Sequence, residues 1–230
     1  MSTSVATFIA QTIIGAFSNT NKPVAFIAVG GPGGTGKSSL SKRINALLSP
    51  SIILTLDDYK FPRAKRHTTG LLGAHPKAND CQLIKEHLQA LSVGQTIDKP
   101  VYNAVTGTAD KTVSFTPKRF VIIDGEISTY PQFSSFIDLS IFIDSSLRTQ
   151  LKTRLLRDTT QRKYSVKKAI TTFWQSNVCE FRKFGLSGRD TADLLLFCNH
   201  DYTLEVKSFP KKFAMLLNKA TPLLPQQNRS

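Results

Sequence analysis

Residues Gly31-Pro-Gly-Gly-Thr-Gly36-Lys37-Ser38 satisfy the spacing G-x-x-x-x-G-K-[ST]. Glycines at those places let consecutive backbone N–H groups turn toward one anion, and a helix that starts there aims its positive end at the same anion. Lys37 can then reach the outer phosphates of a nucleoside triphosphate, and the Ser38 hydroxyl can ligate Mg²⁺. Gly31, Gly33, Gly34, Thr35, Gly36, Lys37, Ser38 and Ser39 are the expected nucleotide contacts. A chance glycine turn is the competing reading. Against it, the apolar run 24–29 precedes the motif and helical periodicity over 38–48 follows it, which is the context the motif needs. The motif alone does not separate a kinase from another NTPase or a GTPase.

Two further strand-like runs end in acid. Ile52–Leu56 runs into Asp57-Asp58-Tyr59, and Val121-Ile122-Ile123 runs into Asp124-Gly125. A carboxylate beside a phosphate cradle can orient or deprotonate an acceptor hydroxyl. The plainer role for either Asp57 or Asp58 is a cap on the next segment. Asp124 has the form of an acid that holds Mg²⁺ directly or through water, with a turn aspartate as the alternative. Arg154, Arg157, Asp158, Arg162 and Lys163 recur at spacings of three and four on an expected helix and its end. Such a face can close over a triphosphate and neutralise charge in the loose transition state of phosphoryl transfer; a solvated basic helix is the bland alternative.

The elements that must position these groups follow from periodicity. A first amphipathic helix carries Val5, Phe8, Ile9, Ile13 and Phe17 and ends by Lys22–Pro23. Strands are expected at 24–29, 52–56, 120–123, 139–143 and 193–198, and helices at 38–48 and 81–91, the latter punctuated by Gly94. A long basic helical region covers about 146–184, and 60–79 is a basic connection without clear periodicity. Strands alternating with helices imply an α/β fold of P-loop type, a mostly parallel sheet with helices on both faces, and ligands gather at the carboxyl ends of such strands. The expected organisation is one domain over 1–230, with an N-terminal helix in 1–20, a lid and helical region at 145–190 and a basic tail at 207–230.

Composition sets the partners. Lys plus Arg is 30 against 16 Asp plus Glu, a formal charge of +14, which favours anions. The chain has little aromatic interleaving in its basic stretches and no recognisable nucleic-acid module, so nucleic acid is not the expected partner. Cys81, Cys179 and Cys198 are odd in number and lack metal-ligand spacing, which fits buried free thiols in a reducing compartment. The first 20 residues are uncharged, and no run reaches about 18 apolar residues, so neither a signal peptide nor a membrane span is expected and the expected location is the cytoplasm. Association into a homo-oligomer is left open.

With these residues in hand, the chain resembles the phosphoribulokinase/uridine kinase family of P-loop kinases from about 24 to 198. Besides the cradle, the resemblance rests on LDDY at 56–59, PKAND at 76–80, DKPVYNAVTG at 98–107, IIDG at 122–125 and RLLRDTTQR at 154–162. It implies an ATP- and Mg²⁺-dependent kinase acting on a small sugar-containing acceptor, a pentose phosphate or nucleoside-like molecule. Asp57 would be the catalytic base, working with Lys37, and Arg157 and Arg162 would be lid arginines on phosphate. Ser38 and Asp124 would serve the metal, Asp124 standing where the family usually has Glu. Tyr59, Arg63, Tyr102 and Arg154 are the expected acceptor contacts; Arg154 stands where phosphoribulokinases often carry Lys. Uridine kinases have a Phe-Asp pair just before His-Pro, and here those places are Gly73 and Ala74. Lys60 replaces the family's usual His. These departures keep open a second reading, a nucleotide-binding protein that has lost its acceptor site and senses nucleotide or contacts nucleic acid. An NTPase without a small-molecule acceptor is a third.

Overall fold

A computed structural model describes residues 4–208. Helix α1 (Val5–Phe17) is capped by Ser4, whose hydroxyl accepts from the Thr7 amide at 3.2 Å, and it buries Ala6, Ile9, Ala10 and Ile13. It stops before Lys22–Pro23, because the residues after Phe17 are polar and offer no further apolar face. Strand β1 (Ala25–Gly30) is buried along its whole length, and α2 (Lys37–Leu47) follows the glycine loop. Strand β2 (Ser51–Thr55) gives way at Leu56–Tyr59 to a 3-10 turn, so LDDY is a turn and not the end of the strand.

The connection at 60–79 contains a short helix, α3 (Arg63–Thr68), and leads to α4 (Cys81–Ser92). Asp80 caps α4 by accepting from the Leu83 amide at 3.0 Å, and Gly94 ends it at φ +81°. A hairpin of β3 (Ile97–Asn103) and β4 (Thr108–Phe115) comes next. Its second strand exposes six consecutive residues before Phe115, so it carries no alternation from which a strand could be read.

Strands β5 (Phe120–Asp124) and β6 (Leu139–Ser145) return to the central sheet. The expected single helical region beyond them is broken. Helix α5 (Leu147–Thr160) ends before Lys163, which takes φ +56°, and Ser165 caps α6 (Val166–Phe173), which runs on into a π-helical stretch at Trp174–Phe181. Strand β7 (Leu194–Cys198) is followed by an antiparallel edge strand, β8 (Leu204–Ser208). Lys207, expected in a basic tail, lies in β8; Lys211, Lys212 and Lys219 lie outside the described residues.

The sheet order among the described residues is β2-β5-β1-β6-β7-β8, parallel except for β8. Alternate residues of the central strands point to two cores. Ala25, Ile27 and Val29 join Ile122 and Ile141 against Ile9, Ile13, Leu40 and Ile44 of the first two helices. Phe26 joins Val121, Ile123 and Phe142 against Ile84, Leu88 and Phe181 on the other face. Burial on both faces explains why these strands read as continuous apolar runs. It also fixes the register. Val29 and Thr55 both pair with Asp124, so the carboxyl ends of β1, β2 and β5 stand level.

Ile122 is fully buried in one core. Ile122→Ala is expected to cost about 2–5 kcal/mol of unfolding free energy, measured by urea denaturation, because the cavity cannot close between two packed layers.

Candidate active site

The levelled strand ends carry the chemistry. The loop after β1 is shaped by left-handed glycines that no side chain could replace without strain: Gly34 has φ +90° and Gly36, which starts α2, has φ +88°. A side chain at Gly34 would also meet the Gln150 carbonyl, 2.8 Å from an added Cβ. Inside the loop, the buried Thr35 hydroxyl and the Lys37 ammonium both donate to the Pro32 carbonyl, at 3.0 and 2.8 Å. Lys37 is only 8% exposed. Burial pushes its pKa down, against the pull of Glu126, Asp124 and Asp57.

Asp57 and Asp58 part company here. Asp58 is committed to the hairpin, pairing with the Lys99 ammonium and accepting from the Tyr102 amide at 3.0 Å. Asp57 is 54% exposed and pairs with Lys60 at 2.8 Å. Crowding by its surroundings acts to raise the Asp57 pKa, but the Lys60 charge and hydrogen bond outweigh it, and Lys37 and Arg162 add to them, leaving the carboxyl at about 2. It is a carboxylate across the whole neutral range.

Asp124 is buried at the end of β5, where it accepts from the Ser41 hydroxyl at 3.2 Å and is hydrogen-bonded to Ser38. Burial raises its pKa, opposed by those two hydroxyls and Lys37. A serine hydroxyl beside a carboxylate is a set of hard oxygen donors suited to Mg²⁺, and a glycine loop with left-handed turns at the start of α2 suits a triphosphate; the residues present fit both groups.

The arginines expected of a lid surround one carboxylate. Asp158 is fully buried and lies 3.2 Å from Arg157, 3.3 Å from Arg162 and 3.7 Å from Arg154. Arg157 and Arg162 remain more than a third exposed and lie within electrostatic reach of Lys37 and Asp57 respectively. The structure thus brings Lys37, Ser38, Asp57, Asp124, Arg157 and Arg162 to one end of the sheet.

The expected acceptor contacts divide. Tyr102 receives a hydrogen bond from Arg66 at 2.7 Å, and the two form one polar surface near the Asp57 turn. Tyr59, in contrast, turns into the core; it is 2% exposed and its hydroxyl meets His87 Nδ1 at 2.9 Å, since the 3-10 turn carries it to the side opposite Asp57. Arg63 is spent on the hairpin turn, donating to the carbonyls of Ala104 and Val105. Arg154 is buried under the glycine loop, donating to Asn177, because its side of α5 faces Gly33 and Gly34. Gly73 and Ala74 are also accounted for: the Lys60 side chain lies across Gly73, 2.9 Å from where a Cβ would sit, and Ala74 is fully buried.

Sequence reasoning did not pick out Glu126, two residues past Asp124, although it is the leading carboxylate acting on both Lys37 and Arg154. Its place just beyond an acidic strand end was the available signal. Asn177, Gln150 and Glu180 are buried polar residues of this region that look like ordinary solvated helix positions in the sequence. Cys179 is exposed, contrary to the expectation of buried thiols, while Cys198 is buried.

The profile of the Phosphoribulokinase / Uridine kinase family matches residues 26–198, a span that includes the glycine loop, both acids and the lid arginines. The chain belongs to that family. It is 31% identical over 143 residues to a phosphoribulokinase from Synechocystis sp., covering 60% of this chain and 43% of that protein. It is 29% identical over 192 residues to a uridine kinase from Tolumonas auensis, covering 78% and 89%. The match thus spans under half of the phosphoribulokinase and most of the uridine kinase. A solved D-glycerate 3-kinase from Cryptococcus neoformans shares the fold with a TM-score of 0.65 at 14% identity, over 90% of this chain and all of that one. Members of this kind are P-loop kinases of small molecules, and so is this protein. Among the described residues, no helix is long and apolar enough to cross a membrane.

The Lys60 pairing sets the charge of Asp57. In Lys60→Met the Asp57 carboxyl is expected to titrate above its value of about 2, toward the ordinary 3.9 or so, in a carboxyl-detected NMR titration. The depressed pKa gives stability that is present above about pH 4 and is lost as pH falls toward 2, so the variant's stability should depend less on pH across that window.

Proposed function

We propose that the protein transfers the γ-phosphate of ATP to a hydroxyl of a small sugar-containing acceptor that also bears an anionic group. The observation that carries this reading is the placement of one exposed, ionised carboxylate, Asp57, paired with Lys60, at the same end of the sheet as the buried Lys37. In the transfer, the acceptor oxygen bonds to the γ-phosphorus as the bond to the bridging oxygen breaks, ADP departs, and the hydroxyl proton passes to Asp57. With a pKa of about 2, Asp57 is too weak a base to strip a hydroxyl beforehand. It orients the hydroxyl and takes the proton as the new bond forms, which a loose transition state allows. Lys37 and the partly exposed Arg157 and Arg162 neutralise charge on the phosphoryl oxygens. Ser38 and Asp124 are the oxygen donors that would hold Mg²⁺, which would supply further charge neutralisation on the triphosphate when bound.

The anionic group on the acceptor is argued from the acceptor-side wall. Lys60 and Arg66 line it with positive charge, and Tyr102 adds a hydroxyl. Gly73 and Ala74 provide neither the ring nor the carboxylate that uridine kinases use for a nucleoside, and Lys60 takes up the space over Gly73.

Coupled ADP release should be measured against nucleosides, pentose phosphates, pantothenate and glycerate. Acceptor-dependent turnover is expected with an anionic member of the panel. Asp57→Asn should then lower kcat by roughly 10²–10⁴-fold while leaving ATP affinity nearly unchanged, and Lys37→Ala should abolish turnover. Undiminished activity in Asp57→Asn removes the base; nucleotide binding with no acceptor-stimulated turnover favours a nucleotide sensor instead.

A further inference from the structure

A glycine-rich loop has backbone freedom that must be taken away before its N–H groups can act as a fixed anion cradle. Inside this loop the Pro32 carbonyl is held by Thr35 and Lys37. The Gly33 carbonyl is held from outside, by Asn177 Nδ2 at 2.8 Å. The same amide donates to Gln150 Oε1 at 2.9 Å, and Asn177 Oδ1 accepts from Arg154 Nη1. Gln150 Nε2 in turn donates to the Ser145 carbonyl at the end of β6, at 2.8 Å. Asn177 is 2% exposed, and Gln150 and Arg154 are 4% exposed. Asn177 therefore uses both amide hydrogens and its oxygen within one dry cluster that touches the loop, the lid helix α5 and the sheet.

The geometry of the peptide unit makes this contact more than packing. In a trans peptide the carbonyl of Gly33 and the amide N–H of Gly34 point in opposite directions. Holding the carbonyl on Asn177 turns the Gly34 N–H away from the helices. Gly34, at φ +90°, is free of the steric restraint that would otherwise keep that peptide from rotating. Asn177 sits in the π-helical stretch Trp174–Phe181, and such stretches recur at functional sites. Gly33 is also crowded by Glu126 and Arg154, whose nearest atoms stand 2.6 and 3.0 Å from where a Cβ would lie.

We infer that Asn177 is a positioning residue for nucleotide binding: it fixes the Gly33–Gly34 peptide and the Arg154 guanidinium in one arrangement, and so couples the phosphate cradle to helix α5, which carries Arg157 and the Asp158 that pairs with Arg162 just past its end. The inference rests on the kinase reading of the cradle. Asn177→Asp keeps the shape but cannot donate to the Gly33 carbonyl, and Asn177→Ala removes the amide altogether.

The test is calorimetric titration of the full chain with Mg–ATP and Mg–ADP, alongside KM for ATP, KM for the acceptor and the thermal midpoint. Both variants are expected to bind Mg–ATP roughly 10–100-fold more weakly, as for loss of a buried hydrogen bond and the misplacement of a charged neighbour. KM for the acceptor should stay close to that of the unsubstituted protein. The effect should be strongly non-additive with Arg154→Met, since the two residues act as a unit. A lower thermal midpoint with unchanged nucleotide affinity in both variants would reduce Asn177 to a satisfied core amide and overturn the inference. Normal nucleotide binding without acceptor turnover in the unsubstituted protein defeats the kinase reading but leaves the affinity comparison decisive for Asn177. Absence of nucleotide binding in the unsubstituted protein overturns both.

Discussion

An ammonium group can be withdrawn from water only where negative charge surrounds it, and Lys37 is the buried ammonium of this structure's cradle. The balancing groups come from places far apart in the chain: Asp57 after β2, Asp124 at the end of β5 and Glu126 just beyond it. They can meet only because β1, β2 and β5 run parallel with their ends level, and that register is held by burial of alternate side chains on both faces. A slip of one residue would exchange the two cores as well as misplace the acids. Site and core are therefore secured by one constraint. Helix α5 and the residues just past it show the opposite balance, three arginines around the fully buried Asp158. Basic side chains of and beyond α5 thus stand at the same end of the sheet as the acids around Lys37.

Much of this was legible in the sequence because the signals were local. The glycine loop, the acids in the turn after β2 and at the end of β5 and the arginine spacing each announce a backbone geometry or a face within a few residues. The central strands were legible because two-sided burial writes itself as an apolar run, as in Phe120–Asp124. The hairpin was not, because β4 is solvated on both faces and carries no period. The break within 146–184 was not, since nothing but the short polar run 161–165 marks it. Tyr59 shows a different limit. Its position beside two functional-looking acids suggested the acceptor, but a 3-10 turn rotates successive residues by about 120°, sending Asp57 out, Asp58 to the hairpin and Tyr59 inward. Between Asp57 and Asp58, only tertiary contacts decide.

The surroundings of Lys60 and Gly73 show how departures from a family pattern can be mutually dependent. Lys60 lies over Gly73, so a larger residue at 73 and a lysine at 60 could not coexist without one moving. The same lysine pairs with Asp57 and holds its pKa low. Nearby, the buried Glu180 accepts from the Leu72 amide at 2.7 Å, placing a carboxylate against the loop that holds Gly73 and Ala74. Burial raises the Glu180 pKa, and the amide partner pulls the other way. The loop backbone at Leu72 is thus tied down by Glu180, and the space above Gly73 is filled by Lys60.

The same logic explains why the cradle is braced by polar side chains and not by apolar packing. Apolar contacts can hold a helix or a strand in place, but they cannot select which way a peptide plane faces; only a hydrogen bond to its carbonyl or amide can. The cost of using one is that every buried member of the network must be satisfied. Here the balance is incomplete: Arg154 Nε and the second oxygen of Asp158 have no hydrogen-bond partner among the described residues, and burial pushes the Arg154 pKa down. The arrangement under the loop is therefore held at some expense of stability by its surroundings, as strained and charge-dense functional sites commonly are. An anion above that loop improves the electrostatics of Arg154 and Lys37 together. On the proposed reading of the cradle, nucleotide affinity and the local stability of the α5 and π-helical region are then linked through the same few buried polar atoms.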